Sequence, residues 1–289
     1  MNQQFVDLHV HTTASDGNDS PAQVVQAAGA AGLYALAVTD HDTLEGLPEA
    51  EAEAAIHKVE LVRGCEISAS LAGQDEIHIL GLFLPADPVR LAPLHSVIAY
   101  MIAQRDERNR QIAQRLEELG LPVRYEQVEY MAGGNVVGRP HFAQTLLQLG
   151  LVKSIKEAFD KFLRAGALAF VPRKLPPPAN VVEALATSGA LVSLAHPCLG
   201  LKPGPGLESL VAELKERGLF AIEAYHSEHS SQDERYCVEL ANRFGLRLTG
   251  GSDYHGQPDA NIKIGRGRGN LRFTRAAYEM LKEAWQATQ

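Results

Sequence analysis

Cysteine is scarce: the three in 289 residues, Cys65, Cys198 and Cys237, are odd in number and widely spaced. No CxxC pair exists, so neither a disulfide framework nor a thiolate zinc site is expected, and the usage suits a reducing compartment. Long apolar runs are missing too. Nothing reaches the ~18 uninterrupted apolar residues of a membrane span, and Met1-Asn2-Gln3-Gln4-Phe5 lacks the basic-then-apolar pattern of a secretory leader. A cytoplasmic location is therefore expected, with no membrane and no obligatory protein partner. Positive charge is in deficit, 27 Lys+Arg against 35 Asp+Glu for a net −8, which opposes binding to long duplex nucleic acid. An anionic ligand would need local positive charge. No repeat or low-complexity segment occurs. What the chain has in quantity is histidine, 11 residues.

Over the first hundred residues, apolar runs alternate with helical stretches. Phe5–Val10 predicts a strand; Ser20 offers an N-cap, Pro21 an N1 residue, and Gly32 closes a helix over Ala22–Ala31. Tyr34–Thr39 and Val59–Cys65 are the next strands, with a helix over Leu47–His57 between them, and Glu76–Leu84 follows after a turn near Gly73. From about Ala92 to Ala165, helices succeed one another: Leu94–Leu119, Pro140–Leu149 and Ile155–Leu163. Strands return at Leu168–Pro172, Ala190–Ala195, Leu219–Tyr225 and Leu246–Gly250, with Asn180 as one helix N-cap and Ser231 with Glu234 at capping-box spacing. The pattern predicts an α/β chain, a parallel sheet or barrel from residues 1–92 and 168–289 with a helical insertion at 93–167 that covers its rim.

In a strand, Asp7, His9 and His11 share one face. At this histidine content one HxH arises by chance about 0.4 times, so alone it says little. Recurrence says more. Strand ends carry Thr39-Asp40-His41-Asp42, Glu66, His196-Pro197 and Ser252-Asp253-Tyr254-His255, and the Glu76–Leu84 run carries His78. In a β/α barrel, the C-terminal strand ends form one rim, so these residues converge. Six imidazoles with several carboxylates exceed what one divalent ion uses, which implies two or three. Mixed N and O ligands suit Mn²⁺, Zn²⁺ or Fe²⁺. Paired ions of this kind activate water for in-line displacement at a phosphate ester.

Together these elements resemble the PHP family, named for polymerase and histidinol phosphatase. The matching residues are His9-Val10-His11, Thr39-Asp40-His41-Asp42-Thr43, Gly64-Cys65-Glu66, His78, His196-Pro197 and Ser252-Asp253-Tyr254-His255, in the family's order. The resemblance implies a distorted (β/α)₇ barrel with an inserted small helical domain and a metal-dependent phosphoric ester hydrolase. It implies a first ion on His9, His11, Glu66 and Asp253; a second on Glu66, His78 and His196; and a third on Asp16, His41 and His255. Mn²⁺ is the first expectation. Asp16 stands where many phosphatase members carry His. Asp40 is expected behind the ligands, orienting a histidine. The insertion and Gly138-Arg139-Pro140-His141 are similar to the subgroup acting on nucleotides. Its members include 3′,5′-nucleoside bisphosphate phosphatases, which convert pAp to AMP and phosphate, and enzymes that trim short 5′-phosphorylated RNA from the 5′ end. A small nucleotide or short RNA is thus the expected partner, with a non-catalytic, metal-stabilised interaction module as the distant alternative.

Further site residues are expected around this centre. Arg139, at a loop meeting a helix start, suits a substrate phosphate, with Asn135 and His141 nearby. Arg173 and Lys174, following the Leu168–Pro172 run, would lie on the rim and hold a second phosphate. His226 is the candidate proton donor to the leaving oxygen, and Asp42 contacts the nucleotide or caps a helix. His57, His95 and His229 are expected to be solvated. Gly250-Gly251 is read as close backbone approach at the metals, and Gly265-Arg266-Gly267-Arg268-Gly269 as too sparsely basic to imply RNA binding.

Overall fold

Ser20 starts the first helix as its sequence predicts: its hydroxyl accepts the Gln23 N–H, and the Gln23 side chain accepts the Ser20 N–H at 2.8 Å. The computed structural model describes residues 4–57, 59–71, 76–133, 137–256 and 261–289. In order, the elements are β1 (Val6–Asp7), α1 (Pro21–Ala30), β2 (Ala35–Val38), α2 (Leu47–His57), β3 (Glu60–Ser70), β4 (Glu76–Leu82) and α3 (Ala92–Glu118). There follow α4 (Tyr125–Ala132), α5 (Arg139–Gln148) and α6 (Ile155–Ala158), which runs into a π-helical turn at Phe159–Leu163. The chain continues with α7 (Pro178–Thr187), β5 (Leu191–Leu194), α8 (Pro197–Gly200), α9 (Pro205–Glu216), β6 (Ala221–His226), α10 (Ser231–Phe244), β7 (Arg247–Gly251) and α11 (Arg275–Gln286). The expected turn near Gly73 and the expected site residue Asn135 lie outside the described residues. Two compact units result, Met1–Ile98 with Pro176–Gln289, and Ala99–Leu175.

The first unit is a seven-stranded, nearly closed barrel. Each strand pairs with its neighbours in sequence order, β1 through β7, and all pairs are parallel except those of β4, which runs antiparallel to β3 and β5. The Leu8 N–H donates to Gly250 O at 3.1 Å and the Asp253 N–H to His9 O at 2.9 Å, which brings β7 against β1. Gly251 makes this possible, because a Cβ there would lie 2.2 Å from His9 Cβ; the Gly250-Gly251 pair is a close approach of backbones, as expected. Both faces of β2 are covered, with Ala35 and Ala37 packed beside Val6, Leu80 and Tyr278, and Leu36 and Val38 against α1 and α2 through Val25 and Leu47.

The second unit is helical around Ile112, Leu116, Val128, Phe142, Leu146 and Leu163. Leu168–Pro172 is not a strand. The Leu168 and Ala169 N–H groups donate to the carbonyls of Lys161 and Phe162, and Ala169 and Val171 fill the helical core. A short apolar run thus serves the helical core, and the boundaries fall at 98/99 and 175/176 instead of 92/93 and 167/168. Two caps also move. Pro177, not Asn180, precedes α7, because two prolines fix its entry, and Ser230 with Asp233, not Ser231 with Glu234, forms the box opening α10. Among the described residues no helix is long and apolar enough to cross a membrane.

Candidate metal centre

Strand direction explains which residues meet. His41, Glu66, His196 and Asp253 follow or lie along parallel strands. β4 is reversed, so its beginning reaches the rim where the others end, which is how His78, its third residue, joins them. Glu66 sits at the middle, fully buried. Its Oε1 lies 3.0 Å from His196 Nε2, 3.1 Å from His78 Nδ1 and 3.3 Å from His9 Nε2. Its Oε2 lies 3.0 Å from His41 Nδ1 and 3.3 Å from His11 Nε2. Asp253 Oδ1 closes the other side, 3.2 Å from His11 Nε2 and 3.5 Å from His9 Nε2. Asp16 lies 3.3 Å from His255 Nε2 and 3.9 Å from both His41 Nε2 and His11 Nδ1.

These distances fit metal ions better than hydrogen bonds. Ligand atoms about 2.1 Å from a shared ion stand about 3.0–3.4 Å apart, which matches the spacing here. His9 Nε2 and His11 Nε2 face each other at 3.1 Å, an arrangement that wastes a donor unless both lone pairs point at a cation. His11 Nδ1, His41 Nδ1 and Glu66 Oε2 are buried yet make no hydrogen bond. Groupings able to hold an ion include His11, Asp16, His41 and His255; His9, His11 and Asp253; His9, Glu66 and His196; and His41, Glu66 and His78.

The electrostatics agree. Burial opposes ionisation of Glu66, but His9, His41 and His78 outweigh it and hold its carboxyl well below the usual range. For His78, burial is overcome by Glu66 and the imidazole is pushed up to about 10. Asp253 is held well below its usual value against burial, by His9, His11 and His226. Asp16 drops to about 2 beside His255 and His41, which outweigh its partial burial. Backbone strain concentrates here too: of four described non-glycine residues with positive φ, Asp42 (57°), His196 (24°) and Asp253 (54°) belong to this rim.

Several expected residues act otherwise. Asp40 orients no histidine through its hydrogen bonds. Its Oδ1 accepts the Thr12 N–H at 2.7 Å and the Ser15 hydroxyl at 2.8 Å, and its Oδ2 accepts the Thr12 hydroxyl at 2.8 Å, so it fixes the loop leading from His11 to Asp16. Asp42 is buried, and its Oδ1 accepts the Ser68 N–H at 2.9 Å, tying the end of β2 to β3. Asp7 shares no ligand set; its carboxylate accepts N–H groups from Ser252 and Gly265, and burial raises its pKa. His226 is buried with Nε2 facing Asp253 Oδ2 at 3.4 Å. Its side chain has no exposed surface. His229 is not solvated: it is buried, with Nδ1 at 3.0 Å from Ala224 O, because the chain folds back after β6. His57 and His95 are exposed. Glu223, a fully buried carboxylate 3.1 Å from His9 Nδ1, went unpredicted; a lone Glu amid Ala-Ile-Glu-Ala was the available signal.

Arg139, His141, Arg173 and Lys174 belong to the second unit. Arg139 is the first residue of α5; its guanidinium approaches Leu163 O at 3.4 Å and stands 6.0 Å from the Phe170 ring. His141 Nδ1 accepts the Gly138 N–H at 3.0 Å and so caps that helix. Arg173 and Lys174 are exposed and follow no barrel strand, since Leu168–Pro172 forms none.

Comparison with known proteins places this centre in a family. The PHP domain model matches residues 7–165. A 5′-3′ exoribonuclease of Haemophilus influenzae is 34% identical over 90% of this chain and 93% of its own length. A 3′,5′-nucleoside bisphosphate phosphatase of Chromobacterium violaceum is 31% identical over 90% of each. A solved structure from Bifidobacterium adolescentis, assigned as a metal-dependent phosphoesterase, superposes with a TM-score of 0.76 at 28% identity, covering 96% of this chain and 95% of that one. The chain belongs to the PHP domain family and is a metal-dependent hydrolase of phosphate esters.

Proposed function

We propose that the chain removes the 3′-phosphate of 3′,5′-nucleoside bisphosphates, converting pAp to AMP and phosphate, with Mn²⁺ in two or three sites. The carrying observation is the set of overlapping ligand groups around Glu66, more donors than one ion uses. The C. violaceum phosphatase, similar over nearly the whole chain, supports the substrate. When bound, the ions supply Lewis acidity that activates water and neutralises phosphate charge. Glu66 and Asp253 hold the imidazoles in register, and Asp40 fixes the loop that presents Asp16. The partly exposed side chains of Asp16, His41 and His255 mark the open face for the phosphate. With His226 turned toward Asp253, the leaving oxygen takes its proton from water. Arg139, at a helix start that favours anions, is assigned to substrate phosphate; Arg139→Ala then raises KM about tenfold with metal content unchanged, and unaltered kinetics remove it from the site. The free thiols Cys65, Cys198 and Cys237 suit a reducing cytoplasm.

The H. influenzae relative supports a second reading, 5′→3′ exonuclease action on short RNA. Incubation with pAp and, separately, a 5′-phosphorylated RNA oligomer in Mn²⁺ tests both. The proposal expects faster release of inorganic phosphate from pAp, whereas predominant release of mononucleotides from RNA favours the second reading. No phosphate from any nucleoside bisphosphate, with ions bound, contradicts the first.

A further inference from the structure

β6 differs from the strands around it. Its two polar side chains at the cluster, Glu223 and His226, are both fully buried. Residues three apart on a regular strand point to opposite faces. Here the β6 to β7 register shifts between Glu223 and Tyr225, and a bulge of this kind re-aims side chains, so both face the same cluster.

Glu223 touches two strands at once. Its oxygens lie 3.1 and 3.2 Å from His9 Nδ1, and Oε2 also accepts the His196 N–H at 2.9 Å. Nδ1 is the rear atom of the His9 ring; the front atom, Nε2, meets His11, Glu66 and Asp253. A carboxylate behind Nδ1 requires the proton there and leaves the Nε2 lone pair free. The bond to His196 holds a backbone at φ 24°, from which Nε2 reaches Glu66 at 3.0 Å. His226 acts by charge and not by a hydrogen bond: its Nδ1 accepts the Glu228 N–H at 3.2 Å, which leaves the proton on Nε2, and Nε2, with no hydrogen bond among the described residues, lies 3.4 Å from Asp253 Oδ2. Asp253 Oδ1 is then the oxygen directed at His9 and His11.

We propose that β6 is a positioning strand, in which Glu223 sets the tautomer of His9 and pins the backbone of His196 while His226 aims Asp253, none of this through a metal bond of its own. The inference rests on His9, His196 and Asp253 being ligands. Carboxylates behind metal-binding imidazoles typically change affinity 10–100-fold when removed. Since His9, Glu223 and His226 also lie close enough to hold an ion, the rival assignment is that Glu223 is itself a ligand.

Glu223→Gln separates these. The neutral amide keeps one oxygen, so the bonds to His9 Nδ1 and the His196 N–H lose the carboxylate's charge and its second oxygen. Chelator-competition titration should show affinity for Zn²⁺ and Mn²⁺ lowered about 10–100-fold, with the number of ions at saturation unchanged. Nitrogen-15 NMR of the zinc-loaded wild type should show His9 bound through Nε2 with a slowly exchanging Nδ1 proton, and needs no variant to fold. Loss of one ion per chain in Glu223→Gln, unchanged affinity, or His9 bound through Nδ1 each overturns the proposal. A wild-type protein that binds no ion would instead refute the ligand assignment beneath it.

Discussion

The two units bury polar groups on different terms. In the helical unit, Asn109 donates to Val137 O at 3.0 Å and Thr145 to His141 O at 2.8 Å, ordinary satisfaction of buried donors by nearby backbone. In the barrel, His9, His11, Glu66 and Glu223 are fully buried against one another. Crowded ionisable groups of this kind are a costly way to hold a fold. The helical interior is thus built for folding, and the barrel rim for binding cations.

Glu66→Gln should sharpen that contrast most, because it removes charge at the point shared by five imidazoles. The kcat for phosphate-ester hydrolysis is expected to fall by about 10²–10³-fold, with circular dichroism showing the fold retained. Phe142→Ala in the helical unit should do the reverse: about 3–5 kcal/mol of stability lost in denaturant unfolding, with metal content by elemental analysis unchanged. Gly251→Ala forces a Cβ into His9, and should cost about 1–3 kcal/mol while weakening metal binding.

The smallest effect belongs to Glu60, on the same strand as Glu66 but serving the fold. It accepts the Tyr278 hydroxyl at 2.5 Å and Lys282 Nζ at 2.6 Å. Burial opposes its ionisation, yet these two partners lower its pKa below the usual 4.5. A depressed carboxylate pKa stabilises the fold above the unfolded value, and that contribution fades as pH falls through the folded value. The difference in Tm between wild type and Glu60→Gln should reflect about 1 kcal/mol or less near neutrality and fade as the pH falls below the usual 4.5. A difference that grows in acid would contradict the assignment.

Much of this was legible in the sequence because local signals carried it. Ser20, Pro21 and Gly32 bracket α1 by capping chemistry, and α2 spans Leu47–His57 as its pattern predicts. Most members of the cluster could be named because HxH and the strand-end motifs are short and contiguous, whereas Asp16 follows only from the family resemblance. What sequence concealed depended on register and direction. The bulge that turns Glu223 and His226 to one side leaves no mark in Ala-Ile-Glu-Ala-Tyr-His, and the reversal of β4 that brings His78 to the rim is set by pairing. Leu168–Pro172 is a short apolar run like a buried strand, but the Leu168 and Ala169 N–H groups are taken by a helical turn. Asp40 looks like a ligand's partner and is a loop anchor, since its oxygens accept from Thr12 and Ser15.

The most direct measurement is the number of ions per chain, obtained by titrating chelator-stripped wild type and Glu66→Gln with Mn²⁺ and analysing the metal retained after desalting. The account predicts two or three ions in the wild type and at most one in the variant. Equal content in both, or none in a wild type that is active on phosphate esters, would contradict it.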